Sequence, residues 1–311
     1  MHIRRLTALL LTSLTMAATA ACATTETGPA ATSAQSSAKT FHSDRITVRT
    51  IGAGPDVVLI PGLSSSPAVW ESTIAALPGY RYHLVQVRGF AGLDAGTNAD
   101  GPVVAPIAEE IARYVEDLKL EHPALIGHSM GGALAMMVAA RHPELPGKVM
   151  VVDMIPFMGA MFAPEATPES IAMFAAQIRD SIANSPAETR ETMTKQTIAV
   201  MVRTEELRAG PIADSLASDP GVSGQAMYEL MTTDLRPELA DIAVPLSVLW
   251  AMPTGAPVSK DQMAEFYRLS YALAPQAAIT HVSNSRHFIM FDAPVQFREI
   301  LNRFLAEPAG Q

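Results

Sequence analysis

Between a short apolar run and an alanine-rich stretch the chain reads Gly127-His128-Ser129-Met130-Gly131-Gly132. Ala124–Ile126 before it is apolar enough for a buried strand, and Met130–Arg141 after it has the small residues of a closely packed helix. Ser129 therefore sits on a strand–turn–helix elbow. Such a turn brings the flanking backbones together, so a Cβ two positions to either side would clash, and glycine stands at both places. The helix that follows offers free N–H groups and a favourable field for an anion forming beside the hydroxyl. This is equipment for nucleophilic attack on a carbonyl carbon. An ordinary turn with an incidental serine is the plainer alternative; the second glycine and the alanine-rich helix argue against it. The glycines form neither G-x-G-x-x-G nor Gly-Lys-Ser/Thr, so they are not a dinucleotide or nucleotide-phosphate loop.

The elements around the elbow follow a regular rhythm from residue 45 onward. Ile46–Ile51 alternates like a strand, and Val57–Ile60 is an apolar run ending at Pro61-Gly62. Pro67–Leu77 has helical spacing, Tyr82–Val87 is a strand, and Val104–Leu118 is an amphipathic helix. Val149–Val152 is the strand after the elbow helix. Strands alternating with helices, each strand a nearly continuous Val/Ile/Leu run, predict a mostly parallel sheet covered on both faces. Residues 157–238 break the rhythm: they read as helices, with seven of the 17 methionines, interrupted by Pro164, Pro168, Pro186, Pro211 and Pro220. Alternation resumes at Leu246–Ala251, Ser259–Leu273 and Ala278–Val282, and ends with the helix Pro294–Leu305. The simplest account is an α/β core, residues 45–156 and 239–311, with a helical cap at 157–238 inserted in it.

The elbow in this setting resembles the α/β-hydrolase superfamily, over roughly residues 45–307, with the helical insertion where that family carries its cap. The resemblance implies an α/β-hydrolase fold and a set of further parts. An oxyanion hole would use the backbone N–H of Met130 and one from the loop Ile60-Pro61-Gly62-Leu63-Ser64-Ser65-Ser66, where Leu63 is the expected donor. Many relatives have His-Gly where this chain has Pro61-Gly62; the change removes a side chain but keeps the backbone donor. Ser64 offers a hydroxyl that loop capping explains more simply. The base would be His287, in Asn284-Ser285-Arg286-His287-Phe288-Ile289, a loop between the last strand and a Pro-started helix that resembles the family's histidine loop. The other seven histidines fall in the leader, the tether, strands, element ends or, for His128, inside the elbow.

The acid departs from the commoner pattern. Many relatives place an Asp a few residues after the strand equivalent to Leu246–Ala251, but Thr254 stands there, and Asp261 already lies in a helix pattern. Asp153, ending the strand Val149–Val152, is where some esterase and dehalogenase branches place theirs. The expected acid is therefore Asp153, with a structural Asp capping a turn as the alternative. A serine nucleophile separates the chain from the epoxide hydrolase and dehalogenase branches, which use a carboxylate. No metal or organic cofactor is required by this chemistry.

The chain has 311 residues, 49% hydrophobic and 17% charged, ample for a deep core. Its formal net charge of −9 argues against nucleic acid as a partner, since phosphate binding needs a basic footprint. The single cysteine, Cys22, excludes an intramolecular disulfide and a thiolate-rich metal site. Residues 1–21 read as an export signal, with Arg4 and Arg5 ahead of an uncharged Leu/Ala stretch. Ala21-Cys22-Ala23 fits ordinary signal cleavage; Thr19-Ala20-Ala21-Cys22 resembles a bacterial lipobox, with Thr19 unusual where Leu is preferred. The lipobox is the favoured reading, with Cys22 lipidated and residues 22–44 as a flexible tether. The expected protein is an exported, periplasmic or membrane-anchored serine hydrolase. Its expected substrates are uncharged carboxylic esters of small to medium apolar acyl groups. Lactonase, carbon–carbon bond hydrolase, amidase or peptidase, and perhydrolase activities are alternatives on the same residues. A non-catalytic surface lipoprotein is the alternative of a different class.

Overall fold

The computed structural model describes residues 41–163 and 165–308. The expected signal segment, Cys22 and most of the expected tether lie outside them. The strands are β1 (Ile46–Gly52), β2 (Asp56–Ile60), β3 (Arg81–Val87), β4 (Ala124–His128), β5 (Lys148–Val152), β6 (Leu246–Trp250) and β7 (Ala278–His281). The helices are α1 (Glu71–Ala76), α2 (Val104–Asp117), α3 (Met130–Arg141), α4 (Pro168–Asn184), α5 (Ala187–Met201), α6 (Ala209–Ala217), α7 (Pro220–Thr232), α8 (Lys260–Ser270), α9 (Ile289–Asp292) and α10 (Pro294–Ala306). The seven strands form one sheet in the order β1-β3-β2-β4-β5-β6-β7. β1 runs antiparallel to β3, with Ile46 opposite Val87, and every other pair is parallel.

The central strands are buried on both faces, which is why they are uninterrupted apolar runs rather than alternating ones. Period-two geometry sorts their side chains between two cores. Val58 and Ile60 of β2 point into the layer of α2 and α3, while Val57 and Leu59 point the other way, with Trp70, Phe297 and Leu301. α3 lies inside the protein, with every residue from Met130 to Ala140 buried, so small residues are what it can accommodate.

Two expectations change in detail. Pro67–Leu77 is a 3₁₀ turn, Pro67–Trp70, followed by the short α1, because the Ser66 hydroxyl accepts the Ala68 N–H and starts a tighter turn. Residues 41–44 are not tether but packed chain: the Phe41 ring meets Tyr114 edge-on at 4.9 Å and lies under the Arg113 guanidinium at 4.5 Å. An aromatic side chain brings apolar area that helps order this segment.

Between β5 and β6 the described chain has helices, turns and loops but no strand. This region is tied to the core by polar contacts as well as apolar ones. α2 has no side-chain cap of its own. Glu229 of α7 supplies one from a distance: its carboxylate accepts the N–H groups of Val103 at 2.9 Å and Val104 at 2.7 Å. An anion on the free N–H groups of a helix start is stabilising by both hydrogen bonding and the helix field. Replacing Glu229 by Ala should therefore lower the unfolding free energy by about 1–2 kcal/mol, the cost of a lost N-cap; urea denaturation of the two proteins measures it.

Candidate active site

The elbow's shape is fixed by how closely three backbones meet. A Cβ on Gly127 would lie 1.9 Å from the Gly131 carbonyl oxygen, and one on Gly131 would lie 2.2 Å from the Ile60 carbonyl oxygen. Neither is possible, so glycine is required at both positions. Between them Ser129 adopts φ +53°, ψ −122°, a region costly to a residue with a side chain, by about 1–3 kcal/mol. Neighbouring bonds hold it there: its N–H donates to Val152 O at 2.9 Å, and its carbonyl accepts from Gly132 N at 2.8 Å. The side chain is left half-buried on the wall of a cavity of about 780 Å³.

Gly62 brings the loop after β2 against the serine, with room for a Cβ only 3.1 Å from Ser129 Cβ. Met130, first residue of α3, and Leu63, next to Gly62, both border the elbow. Among the described residues neither backbone N–H has an acceptor. The loop is held from the helical region above it. Asp214 of α6 accepts the Ser66 N–H at 2.8 Å and the Ser66 hydroxyl at 2.6 Å, and Ser64 and Ser223 hydroxyls pair at 2.8 Å. Ser64 is thus a tie to α7.

The structure brings Asp153 and His287 together. His287 Nδ1 lies 2.8 Å from Asp153 Oδ2. Asp153 directly follows β5 with φ +54°, its N–H donating to Leu249 O at 2.8 Å. Its other oxygen accepts the Ala251 N–H at 2.9 Å and the Tyr267 hydroxyl at 3.3 Å. Burial, and then the Asp153 charge, push the Tyr267 hydroxyl well above the usual tyrosine range, so it stays a donor. Thr254 is exposed, with its hydroxyl reaching the Val200 carbonyl, and Asp261 is exposed in the first turn of α8. Neither is hydrogen-bonded to Asp153 or His287.

Three contacts set the histidine loop. Phe288 N–H donates to Met201 O at the end of α5. Asp292 accepts N–H groups from Arg286 on the loop and from Arg203 and Thr204 beyond α5, at 2.8–3.0 Å. His128 Nε2 donates to the His287 carbonyl at 3.0 Å. A carbonyl only accepts, so the His128 proton is on Nε2. Burial, reinforced by the neighbouring His287, holds His128 well below the usual histidine range, so its ring is neutral. The sequence places His128 inside the elbow but gives no hint of its hydrogen bond. Asp214 and Asp292 are likewise invisible in sequence, because their partners are up to 148 residues away.

The cavity wall combines these groups with methionines from the helical region, among them Met158, Met193, Met201 and Met227. A hydroxyl on a strained turn and an imidazole oriented by a carboxylate face one apolar space, with the unpaired N–H groups of Leu63 and Met130 beside the hydroxyl's turn. Such a space can hold an acyl group with its carbonyl at the hydroxyl.

Comparison with known proteins agrees with this architecture. Residues 57–300 match the model of the Alpha/beta hydrolase family. The chain is 27% identical over 273 residues to a pimeloyl-[acyl-carrier protein] methyl ester esterase of Aeromonas hydrophila subsp. hydrophila, spanning 84% of this chain and 99% of that one. Among solved structures, an esterase from Exiguobacterium antarcticum superposes with a TM-score of 0.69 at 21% identity, over 84% of this chain and 96% of that one. An enol-lactonase from Burkholderia xenovorans does so with 0.68 at 19%, over the same 84% and 96%. The structural likenesses show a shared fold, and the sequence match takes in the elbow and both Asp153 and His287: the chain belongs to the alpha/beta hydrolase family.

Proposed function

We propose that the protein is a serine hydrolase that cleaves carboxylic esters of small to medium apolar acyl groups through an acyl-enzyme. Ser129 Oγ attacks the ester carbonyl carbon while His287 Nε2 takes the hydroxyl proton. The oxyanion is held by the N–H groups of Met130 and Leu63. Collapse breaks the ester C–O bond, and His287 returns the proton to the departing alcohol. Water then repeats the sequence on the acyl-serine and releases the acid. Asp153 keeps the proton of the neutral imidazole on Nδ1 and stabilises the imidazolium that forms.

The observation that carries this reading is the 2.8 Å contact of His287 Nδ1 with Asp153. It spends one ring nitrogen on a carboxylate and leaves the other as a free base, on the same cavity wall as Ser129. The methionine-rich wall supports an apolar acyl group, because flexible thioethers adapt to its shape. The methyl ester hydrolysed by the Aeromonas relative supports ester over amide.

Hydrolysis of p-nitrophenyl esters of graded chain length, with lactones and amides alongside, tests the reading. Butyrate or hexanoate esters should be cleaved faster than amino-acid amides. Ser129→Ala should lower kcat by roughly 10⁴-fold or more with the fold intact by circular dichroism. Ester hydrolysis near the parental rate in that variant would remove the mechanism and favour a binding role. Asp153→Asn should lower kcat by roughly 10⁴-fold, since an amide no longer enforces the productive tautomer; a loss under tenfold would mean that the carboxylate only braces the turn.

We further propose that the chain is exported and anchored through a lipid on Cys22. In cells it should fractionate with membranes, and Cys22→Ser should release it to the soluble fraction. A soluble parental protein beginning at Thr24, by mass spectrometry, would contradict this.

A further inference from the structure

The cavity extends well beyond the elbow, and α5 marks its length. The C-terminal end of this helix is docked on the histidine loop: Met201 O accepts the Phe288 N–H at 3.2 Å, and Ala199 O accepts Arg286 Nη1 at 2.6 Å. Arg190, Thr194, Thr197 and Met201 follow one another at spacings of four, three and four, so they share one face, and all four border the cavity. At 1.5 Å per residue Arg190 stands about 16 Å up the helix from Met201. It is the far end of the wall whose near end touches His287.

Arg190 is in an unusual state for a cap arginine. Its Nε is fully buried and has no hydrogen-bond acceptor. Among the described residues no carboxylate or carbonyl is paired with any part of its guanidinium. Arg179, Arg208 and Arg236, in the same region, each have a carboxylate within 4.0 Å. Arg190 is only half-buried, but a buried N–H of its guanidinium without an acceptor is costly, and that cost is recovered when an anion arrives. The cavity wall cannot supply one: its one acidic side chain, Asp153, is already committed to His287. In a chain of net charge −9, the uncommitted charge facing this space is thus positive. The wall between the two ends, with Met193, Ile198 and Val200, is mainly apolar.

We propose that Arg190 forms a distal anion subsite, and that the preferred substrate is a half ester: an apolar acyl chain with its ester at Ser129 and a free carboxylate at its far end. This deepens the esterase reading above and rests on it. It departs from the uncharged substrates that composition alone suggests. One planar guanidinium matches one carboxylate, presenting two parallel N–H donors to its two oxygens. A single fork suits this singly charged group better than a phosphate, which carries more charge and more acceptors. The apolar wall accepts the methylenes between.

The test compares monomethyl suberate with methyl octanoate, which differ only in a terminal carboxylate for a methyl. The wild-type kcat/KM should favour the suberate by at least about tenfold, the scale of one charge-assisted contact. Arg190→Met should erase that ratio, and Arg190→Lys should keep part of it, as charge without the fork. Monomethyl succinate carries its carboxylate four methylenes nearer the ester than the suberate does, so its kcat/KM relative to methyl butyrate should not depend on residue 190. A suberate-to-octanoate ratio unchanged in Arg190→Met, or a succinate ratio that falls as far as the suberate one, would overturn the subsite. Should Arg190→Met not fold, Arg190→Gln takes its place. Calorimetric binding of monomethyl suberate to the Ser129→Ala protein separates the two proposals. Weakening by about tenfold on adding Arg190→Met supports the subsite even if the hydrolase reading fails, and equal affinity sinks it even if that reading holds.

Discussion

The hydrogen bond from His287 to Asp153 joins the carboxyl ends of two strands that are not neighbours. β6 lies between β5 and β7, and the first residue after it, Ala251, gives its N–H to the same carboxylate. Three strand ends thus converge on one side chain. A parallel sheet makes this possible, because its strands all deliver their ends to the same edge. The cost is local strain: both Ser129 and Asp153 hold positive φ without being glycine. Each is clamped by a backbone bond to the next strand, Ser129 to Val152 and Asp153 to Leu249. The sheet over-determines the two conformations that the proposed chemistry needs.

The helical region supplies the cavity's outer wall and also steadies the inner one. Asp214 grips the loop that carries Leu63, Asp292 collects N–H groups from both the histidine loop and the chain after α5, and Glu229 caps α2. Cap and core therefore share their polar contacts. A change in the cap that shifts α6 would be felt at the Leu63 N–H, and one that shifts α5 would be felt at His287. On the proposed reading, the same helices set both substrate length and the geometry of Ser129 and His287.

The elements with strong local signals were legible in the sequence. The central strands announce themselves as apolar runs because both faces are buried, and Gly127 and Gly131 because no other residue fits the elbow. The helix expected at Ser259–Leu273 spans Lys260–Ser270, since Ser259 turns out to be its cap, exchanging hydrogen bonds with Gln262. The acid was sought after β5 because Thr254 cannot carry a charge, an argument from an occupied position rather than from a motif. What stayed hidden has partners distant in sequence. Asp214 meets Ser66 across 148 residues and Glu229 meets Val103 across 126. Arg190 is legible only as a buried nitrogen without an acceptor, a property no sequence pattern encodes.

The central claim is that Ser129, activated by His287 and Asp153, is the nucleophile. Incubating the folded protein with a fluorophosphonate and mapping its peptides by mass spectrometry tests it most directly. The account predicts one stoichiometric adduct, on the peptide containing Ser129, forming far more slowly in the Asp153→Asn protein. A folded protein that takes up no label, or takes it up on another serine such as Ser64, would contradict it.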